Sequence, residues 1–275
     1  MAQSKRNILS VPQWLNCPFK DAKQYDAILG TPNNALIRPG TKNTIEAPEK
    51  AFKTTFLLRL CMGLSAGISV FPELPVVRSS MRVLYLHGEL SLAEVGERTC
   101  SAARGIPPEK MTNFFTGKDL GANLATLAGQ NAIKALVAEF HPEILALDPW
   151  QSMMAGADEN SSQDVSKATK FLDSLLETGL CLYMPMHLGK DRSKGARGSS
   201  YIAGWRDTLF SLIPKRHDGK IIHVKVVTQP RWAEAPDPFL LKFSAGTVES
   251  EPMPIKAAVG KDKLGMPGDS YIEED

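Results

Sequence analysis

The sequence lacks the features that would assign it to a membrane, secreted or zinc-binding class. It has no run of the roughly 18 apolar residues that span a bilayer, and its start, MAQSKRNILSVPQWLN, has no apolar signal core. We therefore expect a cytoplasmic protein without a membrane partner. The four cysteines stand far apart with no C-x-x-C pair, which argues against a disulfide framework and a zinc site.

A strong excess of charge of one sign is also lacking. The formal net charge is only +2 over 275 residues, which argues against a strongly basic protein that coats nucleic acid. Any contact with nucleic acid must therefore be made by a local basic segment.

Short β-rich runs alternate with longer helical patterns from about residue 40 to residue 243. This alternation predicts an α/β fold with a mainly parallel twisted sheet flanked by helices. The last strand candidates follow one another without a helix, so we expect antiparallel strands beside the parallel core. The strand candidates are NTIEA, RVLYLH, ILALD, LCLYMPMH, TLFSLI, IIHVKVV and FLLKF, and helices are predicted over 53–67, 91–104 and 123–140 and after Ser161.

The two ends of the chain differ from this pattern. Residues 1–35 are polar and irregular, and residues 250–275 are rich in Pro, Gly and charge without any period. We therefore predict one domain over 36–249, an irregular N-terminal segment and a flexible C-terminal tail.

The stretch EAPEKAFKTTF has the lysine and the hydroxyl residue of a phosphate-binding loop at the start of a helix. In such a loop backbone N–H groups face the anion, the lysine neutralises the phosphates and the hydroxyl binds Mg²⁺. Lys53 and Thr54 match the last two roles. The residues expected to contact the nucleotide are Ala47, Pro48, Glu49, Lys50, Ala51, Phe52, Lys53, Thr54 and Thr55.

Both glycines of this loop pattern are missing, because Ala47 and Phe52 occupy their positions. A side chain at a position that needs positive φ costs about 1 kcal/mol or more. On this motif alone, a nucleotide site and an ordinary helix start with Lys and Thr remain equally open.

Three further candidates each follow a separate predicted strand. Asp148 is placed to hold a water of Mg²⁺, Glu89 to orient or deprotonate an attacking water, and His187 to sense the γ-phosphate. Taken singly, each is also explained as a structural residue at the end of a strand. Because parallel-sheet ligand sites lie at the carboxyl ends of the strands, we expect these residues to converge with Lys53 in one site.

A basic loop, GKDRSKGARGSS, follows His187 directly. In a monomer it is a solvated loop, whereas in a ring with this loop at the centre it would line a pore for a phosphate backbone. The candidate DNA-binding residues are Lys190, Arg192, Lys194 and Arg197.

Two isolated arginines, Arg206 and Arg231, follow this loop in the sequence. Each is a candidate arginine finger that reaches the γ-phosphate of a neighbouring subunit, and each is also explained as a surface ion-pair residue.

Taken in order, these pieces resemble the RecA-like ATPases of the RepA type, the hexameric plasmid replicative helicases and their phage and bacterial relatives. The resemblance spans roughly residues 35–245. The segments that carry it are EAPEKAFKTTF, VLYLHGELSLAEVGER, ILALDPWQSMMAGADENSS, LYMPMHLGK and ARGSSYIAGWRDTLFSL.

The resemblance implies a RecA-like P-loop ATPase core that binds Mg²⁺ and ATP between the subunits of a homo-oligomer, a hexameric ring that moves on single-stranded DNA. By position it makes Lys53 and Thr54 the phosphate and metal residues, Glu89 the catalytic base, Asp148 the Walker B acid and His187 the sensor. It also suggests a compact motor subunit that relies on other replication proteins for loading.

The resemblance also ranks the two arginines. Where the family often has a Lys-x-Arg pair that reaches across the interface, this chain has Gln229 and Arg231. The lysine is absent and the arginine is retained, so we place Arg231 before Arg206 as the residue that acts in the neighbouring subunit.

Two other functions remain open beside a DNA-dependent ATPase and helicase subunit. One is an ATP-binding assembly or loading factor with weak or no hydrolysis, against which the joint presence of Glu89, Asp148 and His187 argues. The other is a small-molecule kinase, for which we would expect an arginine-rich lid and no strand-end histidine.

Overall fold

The structure is a computed structural model that describes residues 26–78, 80–118, 123–156, 161–188, 199–217, 221–244 and 247–251. These residues form a nine-stranded sheet, flanking helices and a separate two-stranded hairpin. The strands are β1 (Leu29–Thr31), β2 (Asn34–Ile37), β3 (Lys42–Ala47), β4 (Val83–His87), β5 (Phe114–Lys118), β6 (Ile144–Asp148), β7 (Cys181–His187), β8 (Thr208–His217), β9 (Ile221–Pro230), β10 (Phe239–Ser244) and β11 (Thr247–Glu251). The helices are α1 (Lys53–Ala66), α2 (Leu92–Ala102), α3 (Leu127–Phe140), α4 (Trp150–Met153), α5 (Ser162–Leu176) and α6 (Ser199–Trp205), with a 3₁₀ turn at Pro108–Lys110.

The central sheet has the order β11-β10-β9-β8-β3-β7-β6-β4-β5. The six strands from β8 to β5 run parallel, and β9, β10 and β11 extend the sheet antiparallel beyond β8. The predicted α/β fold with a mainly parallel sheet and antiparallel C-terminal strands is therefore confirmed. The parallel order places β3, β7, β6 and β4 side by side.

The two faces of the sheet build two separate hydrophobic clusters. In β4, Val83 and Tyr85 point to the face that α1 covers, whereas Leu84 and Leu86 point to the face that α4 and α5 cover. The same period of two runs through β6, as expected for strands that are buried on both faces. This alternation decides which side chains share a face at the carboxyl end of the sheet.

Sequence reasoning missed four short strands. The pair β1 and β2 lies largely in the segment predicted to be irregular, although Leu29 and Ile37 are completely buried. The edge strand β5 is half-exposed, and β11 has the polar sequence TVESE and runs into the predicted tail. Short strands with few apolar residues carry little periodicity, which is why the pattern did not reveal them.

The helix ends also differ from the predicted ones, for capping reasons. The helix α3 begins at Leu127 instead of residue 123, because the Thr126 side chain accepts a hydrogen bond from the N–H of Gly129. The helix α2 begins after Ser91, which forms a reciprocal capping box with Glu94. Across the described part of the chain, the helices are too short or too polar to cross a bilayer.

One glycine is required by close backbone contact. A Cβ at Gly129 would lie 2.1 Å from the carbonyl oxygen of Asn123, closer than any side chain tolerates. Gly96, in α2, has nothing within 4 Å of the same position. Gly129 and Gly96 both lie in helices but differ in the space around them, so the same substitution can be compared at the two positions.

We expect Gly129→Ala to destabilise the protein by about 1–3 kcal/mol, because the backbone at Asn123 must move. Gly96→Ala should be neutral or stabilising by up to about 1 kcal/mol, since alanine is the better helix former. Urea unfolding of both variants measures the difference. Equal midpoints would contradict the packing described for Gly129.

Candidate active site

The carboxyl ends of four adjacent parallel strands carry the site. Lys53 follows β3, His187 ends β7, Asp148 ends β6, and Glu89 follows β4. The register of the sheet pairs Ala47 with His187 and His87 with Asp148, so the ends of β3 and β7 are level, as are the ends of β4 and β6. The structure thus brings the residues predicted from separate strands to one edge of the sheet.

The phosphate loop needs a left-handed backbone at only one of the two positions that lack glycine. Ala47 is the last residue of β3 and has no positive φ, so its Cβ causes no left-handed strain. Phe52 has φ 60 and ψ 24, and Lys50 also has φ 60. Such a conformation costs a residue with a Cβ about 1 kcal/mol or more.

Contacts on the other side of the loop offset the strain at Phe52. The ring of Phe52 stacks on the ring of Phe243 in β10, with centroids 4.4 Å apart and planes at 22°. An aromatic pair of this kind contributes about 0.5–1.5 kcal/mol beyond the burial of its surface. The antiparallel extension of the sheet therefore supports the phosphate loop.

The backbone of this loop suits an anion. The first N–H groups of α1 have no partner within the helix, and the helix dipole places positive charge there. Left-handed residues, as at Lys50 and Phe52, are a feature of the backbone turns that bind anions.

The ammonium group of Lys53 is held by three acceptors. Its Nζ lies 3.1 Å from the carbonyl oxygen of Ala47, 3.0 Å from that of Pro48 and 3.2 Å from Nδ1 of His187. An ammonium group has three donors and no acceptor, so Nδ1 of His187 accepts and its proton sits on Nε2. Burial lowers the pKa of Lys53 to about 8, against the opposing charges of Asp148, Glu49 and Glu89.

Asp148 is buried, and a hydrogen bond holds its carboxylate. The hydroxyl of Tyr85 donates to its Oδ2 at 2.6 Å. Burial raises the pKa of Asp148, while the nearby hydroxyls of Tyr85 and Thr54 and the charges of Lys53 and Arg98 act in the opposite direction. The first turn of α1, with Lys53 and Thr54, therefore lies close to the end of β6.

The pair of Thr54 and Asp148 fits Mg²⁺. Both offer oxygen ligands, which this ion prefers, and they lie close enough for Thr54 to lower the pKa of Asp148. The described residues contain no cluster of three or more His, Cys, Asp or Glu that would bind a metal alone. A Mg²⁺ ion here would need phosphate and water oxygens as well, which is its usual mode in nucleotide sites.

Glu89 and His187 lie on either side of Asp148. Glu89 is exposed, and its charge raises the pKa of Lys53, so the two side chains lie in the same region of the site. The N–H of His187 donates to Oε1 of Gln151 at 3.4 Å, which fixes the end of β7 against α4. A water between Glu89 and a phosphate at the loop would have a carboxylate on one side.

The two candidate arginine fingers both contact groups of their own chain. Arg206 forms a close ion pair with Glu46 of its own chain, whose pKa burial raises and Arg206 lowers. Arg231 donates to the carbonyl of Gly204 and lies 3.6 Å from Asp207. The predicted DNA-binding residues Lys190, Arg192, Lys194 and Arg197 lie outside the described residues.

Sequence reasoning missed the residues that support the site from within. Tyr85 holds Asp148, Phe243 holds Phe52, and His87 lies beside Asp148. A signal was available for the first and last of these. Because side chains alternate between the two faces of a strand, Tyr85 and His87 in VLYLH share the face that α1 covers. Asp148 in ILALD lies on that same face.

A parallel sheet with a phosphate loop before a helix, a buried aspartate on a neighbouring strand and a lysine between them defines a P-loop NTPase-type domain. A family model described as an AAA domain, AAA_25, matches residues 29–193, which is more than half of the chain. The protein belongs to this family, and an AAA domain is the domain of a nucleotide-binding ATPase. The comparison with curated proteins gave no match.

The lowered pKa of Lys53 leads to a pH prediction for nucleotide binding. A bound triphosphate favours the charged lysine, so binding takes up a proton wherever the free lysine is neutral. We therefore expect ATP affinity to fall as pH rises above about 8, approaching tenfold per pH unit. Titration calorimetry in buffers of different ionisation enthalpy measures both the ATP affinity and the number of protons taken up on binding.

Lys53→Arg is the control, because its guanidinium keeps its charge over this range. Any affinity that this variant retains should not change between about pH 8 and pH 10. A wild-type affinity that is constant over the same range would contradict the state assigned to Lys53.

The stacking of Phe52 on Phe243 leads to a second prediction. In a double-mutant cycle of Phe52→Leu and Phe243→Leu, we expect a coupling energy of about 0.5–1.5 kcal/mol in the free energy of unfolding. Phe243→Leu alone should also weaken nucleotide binding, since the loop loses its support. Additive effects in the cycle would contradict the proposed role of the pair.

Proposed function

We propose that the protein is a Mg²⁺-dependent ATPase that forms a ring and couples ATP hydrolysis to movement on single-stranded DNA, as a RepA-type replicative helicase subunit. The observation that carries the ATPase part is the convergence of Lys53, Thr54, Glu89, Asp148 and His187 at one edge of the sheet. Its charges and hydroxyl match what a triphosphate and a water nucleophile require.

The first event on binding is an exchange at Lys53. The ammonium leaves the carbonyls of Ala47 and Pro48 and donates instead to phosphate oxygens, which are stronger acceptors because they are charged. Its contact with His187 couples the lysine to the end of β7. In this way the histidine can respond to the presence of the terminal phosphate.

The second event is the positioning of water by Glu89. Its exposed carboxylate follows β4 by two residues and can accept a proton from a water in line with the γ-phosphate. Thr54 and Asp148 would hold Mg²⁺, which neutralises charge on the β- and γ-phosphates when it is bound.

The position of Arg231 supports a role between subunits. Arg231 follows Pro230, which pairs with Thr208, and Thr208 in turn pairs with Asn43 at the start of β3. From Asn43 to Ala47 the strand rises roughly 13 Å, at about 3.3 Å per residue. Arg231 therefore lies at the edge of the sheet opposite its own phosphate loop, and a neighbouring subunit is the place where it can meet a phosphate.

Arg206 is the weaker candidate for this role. Its guanidinium compensates the buried carboxylate of Glu46 within the same chain. If Arg206 contacted a neighbouring subunit instead, the carboxylate of Glu46 would stay buried without a partner, which is costly. Neither arginine lies within residues 29–193, where the family match is found.

The DNA part of the proposal rests on the basic loop after His187. In the sequence the loop begins two residues after His187, the last residue of β7, so a change at His187 on hydrolysis can be passed on to it. In a ring, its four cations would be repeated around the central opening and attract a phosphate backbone.

One observation favours the assembly-factor alternative. All three donors of Lys53 are satisfied without nucleotide, and Phe52 holds the loop in a strained shape. A loop of this kind could bind ATP tightly at an interface and hydrolyse it slowly. Turnover measurements separate the two functions.

We expect ATP turnover by the purified protein to rise with single-stranded DNA. Lys53→Ala should abolish both binding and turnover, whereas Glu89→Gln should keep binding near normal and lower turnover by about 100-fold or more. Phosphate release and binding of a fluorescent ATP analogue measure the two steps. Tight binding without turnover in the wild type would favour the assembly factor.

A mixing experiment tests Arg231 in the neighbouring subunit. Arg231→Ala and Lys53→Ala should each be inactive alone. In a one-to-one mixture that exchanges subunits, about a quarter of the interfaces regain both wild-type residues, so turnover should recover to about that level. No recovery in mixtures shown to exchange subunits would contradict the role of Arg231.

A further inference from the structure

His87, the last residue of β4, is buried beside Asp148 and has no role in the mechanism above. Its side chain is only 1% exposed. Neither ring nitrogen has a hydrogen-bond partner among the residues that the structure describes. A buried polar group left without a hydrogen bond is costly, so a histidine here needs an explanation.

The His87 ring lies beside the carboxylate of Asp148. His87 is the direct partner of Asp148 in the register of β4 and β6, and its Nδ1 is 4.0 Å from Oδ2 of that carboxylate. This distance is about 1 Å longer than a hydrogen bond. The same oxygen accepts from Tyr85, whose ring lies 4.6 Å from the His87 ring.

The contacts of Asp148 cannot all persist when the site is loaded. The Thr54 hydroxyl lies close to the carboxylate, and it is the group that would turn to Mg²⁺. The carboxylate would also turn toward the ion, away from the position in which Tyr85 holds it. Among its neighbours in the structure, His87 offers a ring N–H with no other partner.

Packing alone does not explain a histidine at this position. Beside Asp148, the ring is buried against the Tyr85 ring, where an apolar side chain would bring no unpaired nitrogen. An imidazole ring always carries at least one N–H, so it has a donor to give.

We propose that His87 is a positioning residue that donates a hydrogen bond from Nδ1 to Asp148 in the nucleotide-bound state and fixes the carboxylate for Mg²⁺. This inference rests on the proposed function. Hydrogen bonds to metal-binding carboxylates orient them, and loss of such a bond typically weakens metal affinity 10–100-fold. The residue acts on Asp148 and does not itself touch the nucleotide.

Three variants of His87 distinguish a role for either ring nitrogen from a role in packing alone. Asparagine places an N–H near the position of Nδ1, glutamine places one near Nε2, and leucine removes both. The measurement is the Mg²⁺ concentration needed for half-maximal binding of a fluorescent, non-hydrolysable ATP analogue. The matched control is Thr228→Val in β9. It also removes a buried polar atom that has no hydrogen-bond partner, but far from the proposed site in the sequence.

We expect His87→Leu and His87→Gln to raise the required Mg²⁺ concentration about 10–100-fold. His87→Asn should stay close to the wild type, as should Thr228→Val. Affinity for the analogue without Mg²⁺ should be the same in all five proteins, because His87 does not contact it. Circular dichroism checks that each variant is folded.

Several results would overturn the proposal. If leucine leaves the Mg²⁺ requirement unchanged and alters only the melting temperature, His87 is a packing residue. If glutamine keeps the wild-type requirement and asparagine does not, the donor is not Nδ1. Should the leucine variant fail to fold, the comparison of asparagine with glutamine decides alone. A wild type that binds no nucleotide with Mg²⁺ would overturn the proposed function together with this inference.

Discussion

The buried carboxylate of Asp148 is the constraint on which the rest of the site depends. A charge in the interior is costly unless it is paired and hydrogen-bonded. Here Tyr85 in β4 donates a hydrogen bond to the carboxylate, and Lys53 and Thr54 at the start of α1 lie close to it. Because these partners must meet Asp148, the ends of β4 and β6 and the first turn of α1 are held in one place.

The second constraint is the shape of the phosphate loop. The loop reaches the left-handed region at Phe52 without a glycine, and the ring of Phe243 holds it there. A glycine would make the same turn at lower cost but with no anchor. The chain therefore replaces backbone freedom in the loop by a contact with the antiparallel strands, and the C-terminal part of the sheet becomes part of the nucleotide site.

Much of this arrangement could be predicted from the sequence. Strands such as ILALD and LCLYMPMH are apolar throughout and end in a polar residue, which locates both the parallel sheet and its carboxyl edge. The partners of the site could not be predicted in the same way. Phe243 is far from Phe52 in the chain, and only the fold brings the two rings together. Strand β5 was missed because an edge strand that is half-exposed has no strong pattern.

The ATPase class follows from the fold, the site and the family, whereas the ring, the DNA and the helicase activity are proposals that depend on assembly. The two sets of residues lie at opposite edges of the sheet. Lys53 and Asp148 stand at the carboxyl edge, and Arg231 stands at the other. In the proposed ring, a head-to-tail interface would bring Arg231 of one chain to the phosphate loop of the next.

The most direct measurement is an experimental structure of the protein with Mg²⁺ and a non-hydrolysable ATP analogue. The account predicts that the β- and γ-phosphates lie at the start of α1, with Lys53 released from the carbonyls of Ala47 and Pro48 and bound to phosphate. It also predicts that Thr54 and Asp148 are at the ion. A structure in which Lys53 keeps its contacts with the loop, and the nucleotide is absent or bound elsewhere, would contradict the account.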